Sequence, residues 1–312
     1  MSRAILLLNM GGPSNLDEVE LFLRNMFADK YILQTNPLMR KLIGNIIVKK
    51  RLKEAQENYK EIGSKSPLLE ITQSLAKKVQ KLTNTPVYPI MRYVPPFAKK
   101  KLAELKNKGV EELVLVSMYP HYSTTTTQSS LDDIFQTLKE LDYHPKIKIL
   151  KHYYKDRDYI EIQAKLIKEA LQNHDAKDIK LIISAHGLPM SIIKKGDPYQ
   201  REVEVNSALL EAKLYEMGIE FKKVELAYQS KVGNASWLEP NLSDVLRKPD
   251  HLKVLIFPIS FTIDNSETIF ELSIEHKEIA RKIGYEYYEV TSCPNDRDDF
   301  AHFIVKEIQK HS

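Results

Sequence analysis

Short apolar runs, many of them rich in valine and isoleucine, recur along this 312-residue chain and are separated by longer charged segments. Runs of this length, bounded by polar and turn-forming residues, are typical of buried β-strands. We therefore predict eight strands, at residues 4–9, 87–92, 112–118, 147–152, 179–185, 224–229, 252–259 and 286–290.

Most of the intervening segments, such as residues 66–83 and 156–172, repeat apolar residues at helical spacing. Strands that alternate with helices indicate an α/β fold with parallel sheets and helices on both faces. The gaps between the first four strands run long, short, short, and the second four follow a compressed version of this rhythm. We predict two doubly wound domains that meet near residue 145.

In such folds ligands bind beyond the carboxyl ends of the strands. The residues that follow six of the predicted strands are rich in aromatic, glycine and hydrogen-bonding residues, namely 9–13, 92–93, 119–122, 186–189, 228–231 and 260–261. His186 lies in one of these turns, in the stretch SAHGLPMSIIKKGDPY. It is a candidate catalytic group, although a structural histidine that caps a turn is at least as common.

Composition restricts the function classes. Hydrophobic residues make up 43% and charged residues 28% of the chain, as in a soluble globular protein. No apolar run approaches the ~20 residues of a spanning helix, and no export signal is visible. The net charge of +4 is spread along the chain, which does not suggest nucleic-acid binding, and no GxGxxG or GxxxxGK[ST] motif is present. The single Cys293 excludes a cysteine-held iron–sulfur cluster and favours a cytoplasmic location.

Residues 37–53 carry apolar side chains near helical spacing among six lysines and arginines. This pattern predicts a basic amphipathic helix that could lie on an anionic membrane surface. An ordinary surface helix whose apolar stripe faces the core is the alternative.

Residues 258–276, PISFTIDNSETIFELSIEH, place three carboxylates at four-residue spacing: Glu267, Glu271 and Glu275. On a helix capped by residues 264–266 these side chains would form one row, in which like charges repel. A divalent cation resting on the row would explain it, because hard cations prefer oxygen ligands. A solvated helix face is the competing interpretation.

Trp237, the only tryptophan, either packs in the core or stacks on a flat ligand.

The chain resembles ferrochelatase, the enzyme that inserts Fe²⁺ into a porphyrin. The resemblance rests on LLLNMGGP, FLRNMFAD, IGSKSPL, MRY, YPHYSTTTTQSS, SAHGLPMSIIKKGDPY, YQSKVGNASWLEP and FTIDNSETIFEL, which follow one another in order over nearly the whole length. It implies two Rossmann-like, chelatase-like α/β domains, at residues 1–145 and 146–293, with a porphyrin cleft between them. A C-terminal helix at about residues 294–312 would pack back on the first domain.

The resemblance also implies roles for individual residues. His186 and Glu267 are expected to be catalytic, to face each other across the macrocycle, and to contact the metal, with Glu271 and Glu275 continuing the metal path. The expected substrate-binding residues are Met10, Arg51, Ser66, Arg92, Tyr93, Tyr122, Trp237, Asp264 and Asn265. Met26, Phe27 and Ile32 fall in the hydrophobic lip that the family uses at the membrane.

Asn265 stands where the family usually has a histidine. We expect that an imidazole there serves mainly to orient Glu267 or Asp264 through a hydrogen bond that an amide can replace. The sequence thus predicts a ferrochelatase with protoporphyrin IX and Fe²⁺ as substrates and no resident cofactor. A coproporphyrin III ferrochelatase and a non-catalytic porphyrin carrier are the alternatives. Peripheral contact with the cytoplasmic face of the inner membrane is a further expectation, and the oligomeric state is left open.

Overall fold

The computed structural model describes residues 2–233 and 235–310. All eight predicted strands are present there: β1 (Arg3–Asn9), β2 (Val87–Met91), β3 (Glu112–Ser117), β4 (Lys146–Leu150), β5 (Lys180–His186), β6 (Lys223–Gln229), β7 (Lys253–Pro258) and β8 (Tyr287–Val290). They form two four-stranded sheets in which all pairings are parallel. The predicted α/β class with parallel sheets is confirmed.

The α-helices of the described residues are α1 (Glu18–Ala28), α2 (Pro37–Glu61), α3 (Leu68–Thr83), α4 (Ala98–Asn107), α5 (Ser129–Glu140), α6 (Arg157–Leu171), α7 (Met190–Ile193), α8 (Tyr199–Glu216), α9 (Leu242–Arg247), α10 (Lys277–Ile283) and α11 (Asp298–Lys310). Two further helices, Thr124–Gln128 and Glu267–His276, are π-helices with i→i+5 hydrogen bonding. Among the described residues, no helix combines the length and apolar character that crossing a membrane needs.

The chain divides into two compact units. The first contains the chain up to His152 and from Asp296 onward, and the second runs from Tyr153 to Asn295. The boundary predicted at residue 145 would assign β4 to the second domain. Because β4 pairs with β3, it belongs to the first sheet, and the division falls after His152.

The first sheet has the strand order β2-β1-β3-β4. Residues Ala4–Leu8 are all buried, as expected for a strand that is covered on both faces. Helix α11 packs on α3 in this unit, and residues 311 and 312 of the predicted C-terminal helix lie outside the described residues.

The second sheet has the order β6-β5-β7-β8, which is the same order when the strands are counted within each unit. In both units a π-helix follows the third strand. Buried apolar side chains of β5 and β7 form part of the core of the second unit. They include Ile182, Val254 and Ile256, which pack in one cluster with Leu272 of the second π-helix. This packing fixes the π-helix against the sheet that carries His186.

Candidate active site

His186 is the last residue of β5, at the carboxyl edge of the second sheet. The next residue must be glycine, because a Cβ on Gly187 would lie 2.7 Å from the Gln229 carbonyl oxygen. The Gly187 N–H donates to that same oxygen at 2.8 Å, which draws the turn close to β6. The His186 Nδ1 atom lies 2.6 Å from the Gly187 carbonyl oxygen, so Nδ1 carries the proton and Nε2 points elsewhere.

Glu267, the first residue of the second π-helix, meets this imidazole. Its Oε1 atom lies 3.4 Å from His186 Nε2, and the two side chains are 25% and 33% exposed. The prediction that they face each other across a macrocycle is therefore wrong, since 3.4 Å leaves no space for a ring. His186 ends β5, and Glu267 begins the π-helix that follows β7, so the two side chains meet within the second unit.

The electrostatics of this pair change the expected state of the histidine. Burial lowers the pKa of His186, but the Glu267 carboxylate, with Glu271 and the Gly187 carbonyl group, outweighs burial and raises the pKa to about 9. The imidazole is then cationic near pH 7. It must lose its proton before it can accept one.

The three glutamates predicted as one row differ in environment. Glu271 is half-buried and turned toward the end of β6, where its carboxylate accepts the Ser230 N–H at 2.7 Å and the Ser230 hydroxyl. Burial and the Glu267 charge raise the pKa of Glu271 to about 7. Glu275 is exposed. Among the described residues, no three His, Cys, Asp or Glu side chains are arranged as a closed metal site.

Asp264 and Asn265 precede the π-helix and hold its start. The Asp264 carboxylate accepts from the Thr268 hydroxyl at 2.9 Å and from the Asn295 amide at 2.6 Å. Asn265 is buried, and its Oδ1 atom accepts the backbone N–H of Glu267 at 2.8 Å. The amide thus caps the helix and binds neither carboxylate, so the expectation that it orients one of them is wrong.

Trp237 lies beside the His186 turn. Its Cε3 atom is 3.4 Å from the position a Cβ on Gly187 would take, and the indole N–H donates to the Val232 carbonyl group at 3.0 Å. Antiparallel bridging between Pro189 and Trp237 ties the two loops together. The half-buried ring is therefore held against the turn that presents the histidine.

Four of the predicted substrate residues lie at the carboxyl edge of the first sheet. The Tyr93 N–H donates to the Met10 carbonyl group at 3.0 Å. The Arg92 guanidinium lies 3.5 Å from an Asp29 oxygen and 3.4 Å from an Asp133 oxygen, and its charge is already balanced. The buried Tyr93 hydroxyl donates to Asp29 at 2.9 Å, so this side chain is part of the core.

The half-buried Tyr122 is the fourth of these residues, and its hydroxyl donates to Gln128 at 2.7 Å. The buried carboxylate of Asp29 accepts hydrogen bonds from the Tyr93 and Ser129 hydroxyls and pairs with Arg92. This residue was not identified from the sequence. Nothing in FLRNMFADK distinguishes this aspartate from a surface residue, because these three side-chain partners are more than sixty residues away.

The remaining substrate candidates lie elsewhere in the first unit. Ser66 is buried against Gly12, where a Cβ would approach its side chain to 2.5 Å, and its Oγ atom accepts the Leu68 N–H at 3.3 Å. Arg51 is half-buried on α2 and forms no ion pair with any described residue.

The predicted lip residues are not the exposed ones. Phe27 is buried, with its backbone and Cβ against Gly44 of α2, while Met26 and Ile32 are half-buried. Phe27 therefore contributes to the α1–α2 interface instead of an outer surface. The exposed large apolar side chains of this region are Leu21 on α1 and Leu38, Met39, Leu42 and Ile46 on α2.

The fold of two four-stranded parallel sheets is shared with chelatases of known structure. The SirB chelatase from Bacillus subtilis, solved with Fe³⁺, matches over 100% of this chain and 96% of its own with a TM-score of 0.59 and 12% identity. The sirohydrochlorin chelatase SirB from B. subtilis subspecies spizizenii, solved in complex with cobalt, matches over 100% of this chain and 95% of its own. Its TM-score is 0.57 and its sequence identity is 10%. At such low identity these likenesses show the fold alone.

The sequence comparisons identify the family. The ferrochelatase family model matches residues 2–312. Ferrochelatases of Nitratiruptor sp. and Wolinella succinogenes are 48% and 47% identical over 99% of this chain and 99% of their own. That of Helicobacter pylori (strain P12) is 42% identical over 98% of this chain and 92% of its own. The chain belongs to the ferrochelatase family, the lyases that insert ferrous iron into a porphyrin in haem biosynthesis.

The unequal environments of the three glutamates predict unequal effects of neutralisation. Glu267→Gln should lower kcat by about 10²-fold or more, the range for loss of a group that transfers protons. Glu271→Gln should have a smaller effect, because Glu267 contacts the imidazole and Glu271 is bound by Ser230, and the exposed Glu275→Gln should have almost none. Steady-state metal insertion by the three variants checks this order, and three equal, small effects would support the solvated-face interpretation.

Proposed function

We propose that this protein inserts Fe²⁺ into protoporphyrin IX to give protohaem, with release of two protons. The observation that carries the proposal is the contact between His186 and Glu267 at the carboxyl edge of the second sheet. Insertion needs a group that takes protons from the pyrrole nitrogens and an oxygen donor that replaces water on the ion. The pair supplies both within 3.4 Å.

The order of steps follows from the charges. In the free site the imidazolium of His186 balances Glu267. Fe²⁺ approaching Glu267 adds positive charge beside the imidazolium and lowers its pKa, so that its proton leaves to solvent. The freed Nε2 atom then accepts a pyrrole proton. Glu271 lies behind the pair as a fixed carboxylate that can receive the next proton.

Aromatic groups beside the pair suit a flat substrate. The Phe261 ring stands edge-on to the imidazole with centroids 6.4 Å apart, and Trp237 is held at the turn after His186. Apolar rings of this kind bind a macrocycle by stacking and burial without help from the histidine.

We predict that His186→Ala abolishes insertion while protoporphyrin IX still binds with an affinity within about threefold of the wild type. The loss in kcat should reach ~10²–10⁴-fold, as for removal of a general base. Steady-state assays with protoporphyrin IX and coproporphyrin III, each with Fe²⁺ and Zn²⁺, and fluorescence titration of the porphyrin measure both quantities. Faster turnover of coproporphyrin III would replace the proposed substrate, and binding without turnover by the wild type would indicate a carrier.

We also propose that the protein contacts the cytoplasmic face of the membrane through α2. Leu38, Leu42 and Ile46 of this helix are 78%, 55% and 60% exposed. They alternate with the buried Gly44 and Val48, which lie on the opposite side because two residues turn the helix by about 200°. An apolar stripe on a helix that also carries lysines and arginines is suited to an anionic lipid surface.

The membrane proposal predicts that the protein sediments with phosphatidylglycerol vesicles, more weakly with phosphatidylcholine vesicles, and less at high salt. Leu42→Glu combined with Ile46→Glu should weaken binding to anionic vesicles at least tenfold without changing turnover of dissolved porphyrin. Leu209→Glu, at a leucine of α8 that is 38% exposed, is the matched control. Equal binding by the double variant and the wild type would contradict a role for α2.

A further inference from the structure

The backbone of His186 reaches beyond the end of its neighbouring strand. In the β5–β7 ladder the last paired residues are Ser184 and Pro258, and the Ser184 carbonyl group accepts the Ile259 N–H at 2.9 Å. Along a strand, the polar groups of alternate residues point to the same neighbour. The N–H and C=O groups of His186 therefore point toward β7, which has already ended.

Two hydroxyl groups take the place of the missing strand. The Ser260 Oγ atom lies 3.4 Å from the His186 nitrogen, and the Tyr199 hydroxyl donates to the His186 carbonyl oxygen at 2.8 Å. The two hydroxyl oxygens are 2.7 Å apart. Because the single proton of the Tyr199 hydroxyl goes to the carbonyl oxygen, Ser260 must donate to Tyr199. The result is a closed ring of hydrogen bonds that holds both backbone groups of one residue.

The segment GDPY, residues 196–199, places Tyr199 beside the end of β5. Gly196 adopts a φ of +94°, and the Asp197 carboxylate accepts the Tyr199 N–H at 3.0 Å. These turns start α8 with Tyr199 as its first residue and bring its side chain back to the end of β5, thirteen residues earlier. Both hydroxyl-bearing residues are buried, and burial raises the pKa of Tyr199, which keeps the hydroxyl protonated.

We propose that Tyr199 and Ser260 are positioning residues that fix the backbone of His186 and thereby aim its Nε2 atom at Glu267. With the backbone held and Nδ1 bound to the Gly187 carbonyl group, the ring has one orientation, in which Nε2 lies 3.4 Å from Glu267. This inference rests on the role of His186 in the proposed function. The two hydroxyls bind the backbone of His186 and each other, so they act through the histidine.

The variants Tyr199→Phe and Ser260→Ala test this inference, because each removes one hydroxyl and leaves the rest of the side chain. Each should lower kcat at least tenfold, while the KM for porphyrin stays within about twofold, since the aromatic contacts to the ring are unchanged. The double variant should lose little more than the more damaged single variant, because the hydrogen bonds form one ring. The rates are expressed per folded protein, as measured by circular dichroism and thermal melting.

A matched control distinguishes positioning from general stability. The hydroxyl of Tyr143, a buried tyrosine of the first unit, donates to the Val110 carbonyl group at 2.7 Å, close to the amino ends of β3 and β4. Tyr143→Phe should lower the melting temperature by a similar amount and leave kcat unchanged. If Tyr199→Phe fails to fold, Ser260→Ala alone decides by the same criteria.

Several outcomes would overturn the inference while leaving the proposed function intact. One is wild-type kcat in folded Tyr199→Phe and Ser260→Ala, with His186→Ala inactive. A second is a rise in porphyrin KM at constant kcat, which would place Tyr199 against the substrate. A third is losses that multiply in the double variant. Full activity of His186→Ala would instead remove the proposed function itself.

Discussion

The contact between the His186 imidazole and the Glu267 carboxylate is the interaction on which the rest of this site depends. The Glu267 carboxylate 3.4 Å from the imidazole, with Glu271 as a second carboxylate nearby, keeps the histidine charged in the free protein. An ion pair at an open surface would contribute little and would exchange partners freely. Here β5 and the Gly187 turn hold the imidazole, and the π-helix holds the carboxylate.

The scaffold achieves this with parallel strands of unequal length. β5 continues past β7, so its last residue leaves the ladder just where the second π-helix begins. Asn265 caps that helix at the Glu267 N–H, and Ser230 holds the next carboxylate one turn on. The three glutamates thus receive three environments from one helix, with only the first beside the imidazole.

Much of the fold follows from the sequence because buried parallel strands are short, apolar and separated by helical periods. The eight strands and both sheets could be predicted on that basis, and turns such as the one containing His186 stand out by composition. The domain boundary was placed too early: residue 145 lies just before β4, whose spacing groups it with the first four strands and whose partner is β3.

The errors concern side-chain partners that are distant in sequence. Four-residue spacing predicted an α-helix with one row of carboxylates, but a π-helix has different geometry and Ser230 draws Glu271 aside. The motif assigned Phe27 to a lip. In the structure Phe27 packs against Gly44 of α2, which has no side chain to keep the two helices apart. Asp29, Tyr199 and Ser260 gain their roles only when strand ends meet, which no local pattern reports.

Titration of His186 by NMR in the protein free of porphyrin and metal tests the central ion pair most directly. The carboxylate raises the pKa, so the imidazole should stay protonated below about pH 9 and lose its proton only as the pH rises through that value. In Glu267→Gln the pKa should fall, because burial then acts with less opposition. His276, whose pKa burial and Arg247 lower to about 4, is an internal reference in the same spectra. A His186 pKa at or below its ordinary value of 6.5 in the wild type, unchanged in Glu267→Gln, would contradict the ion pair.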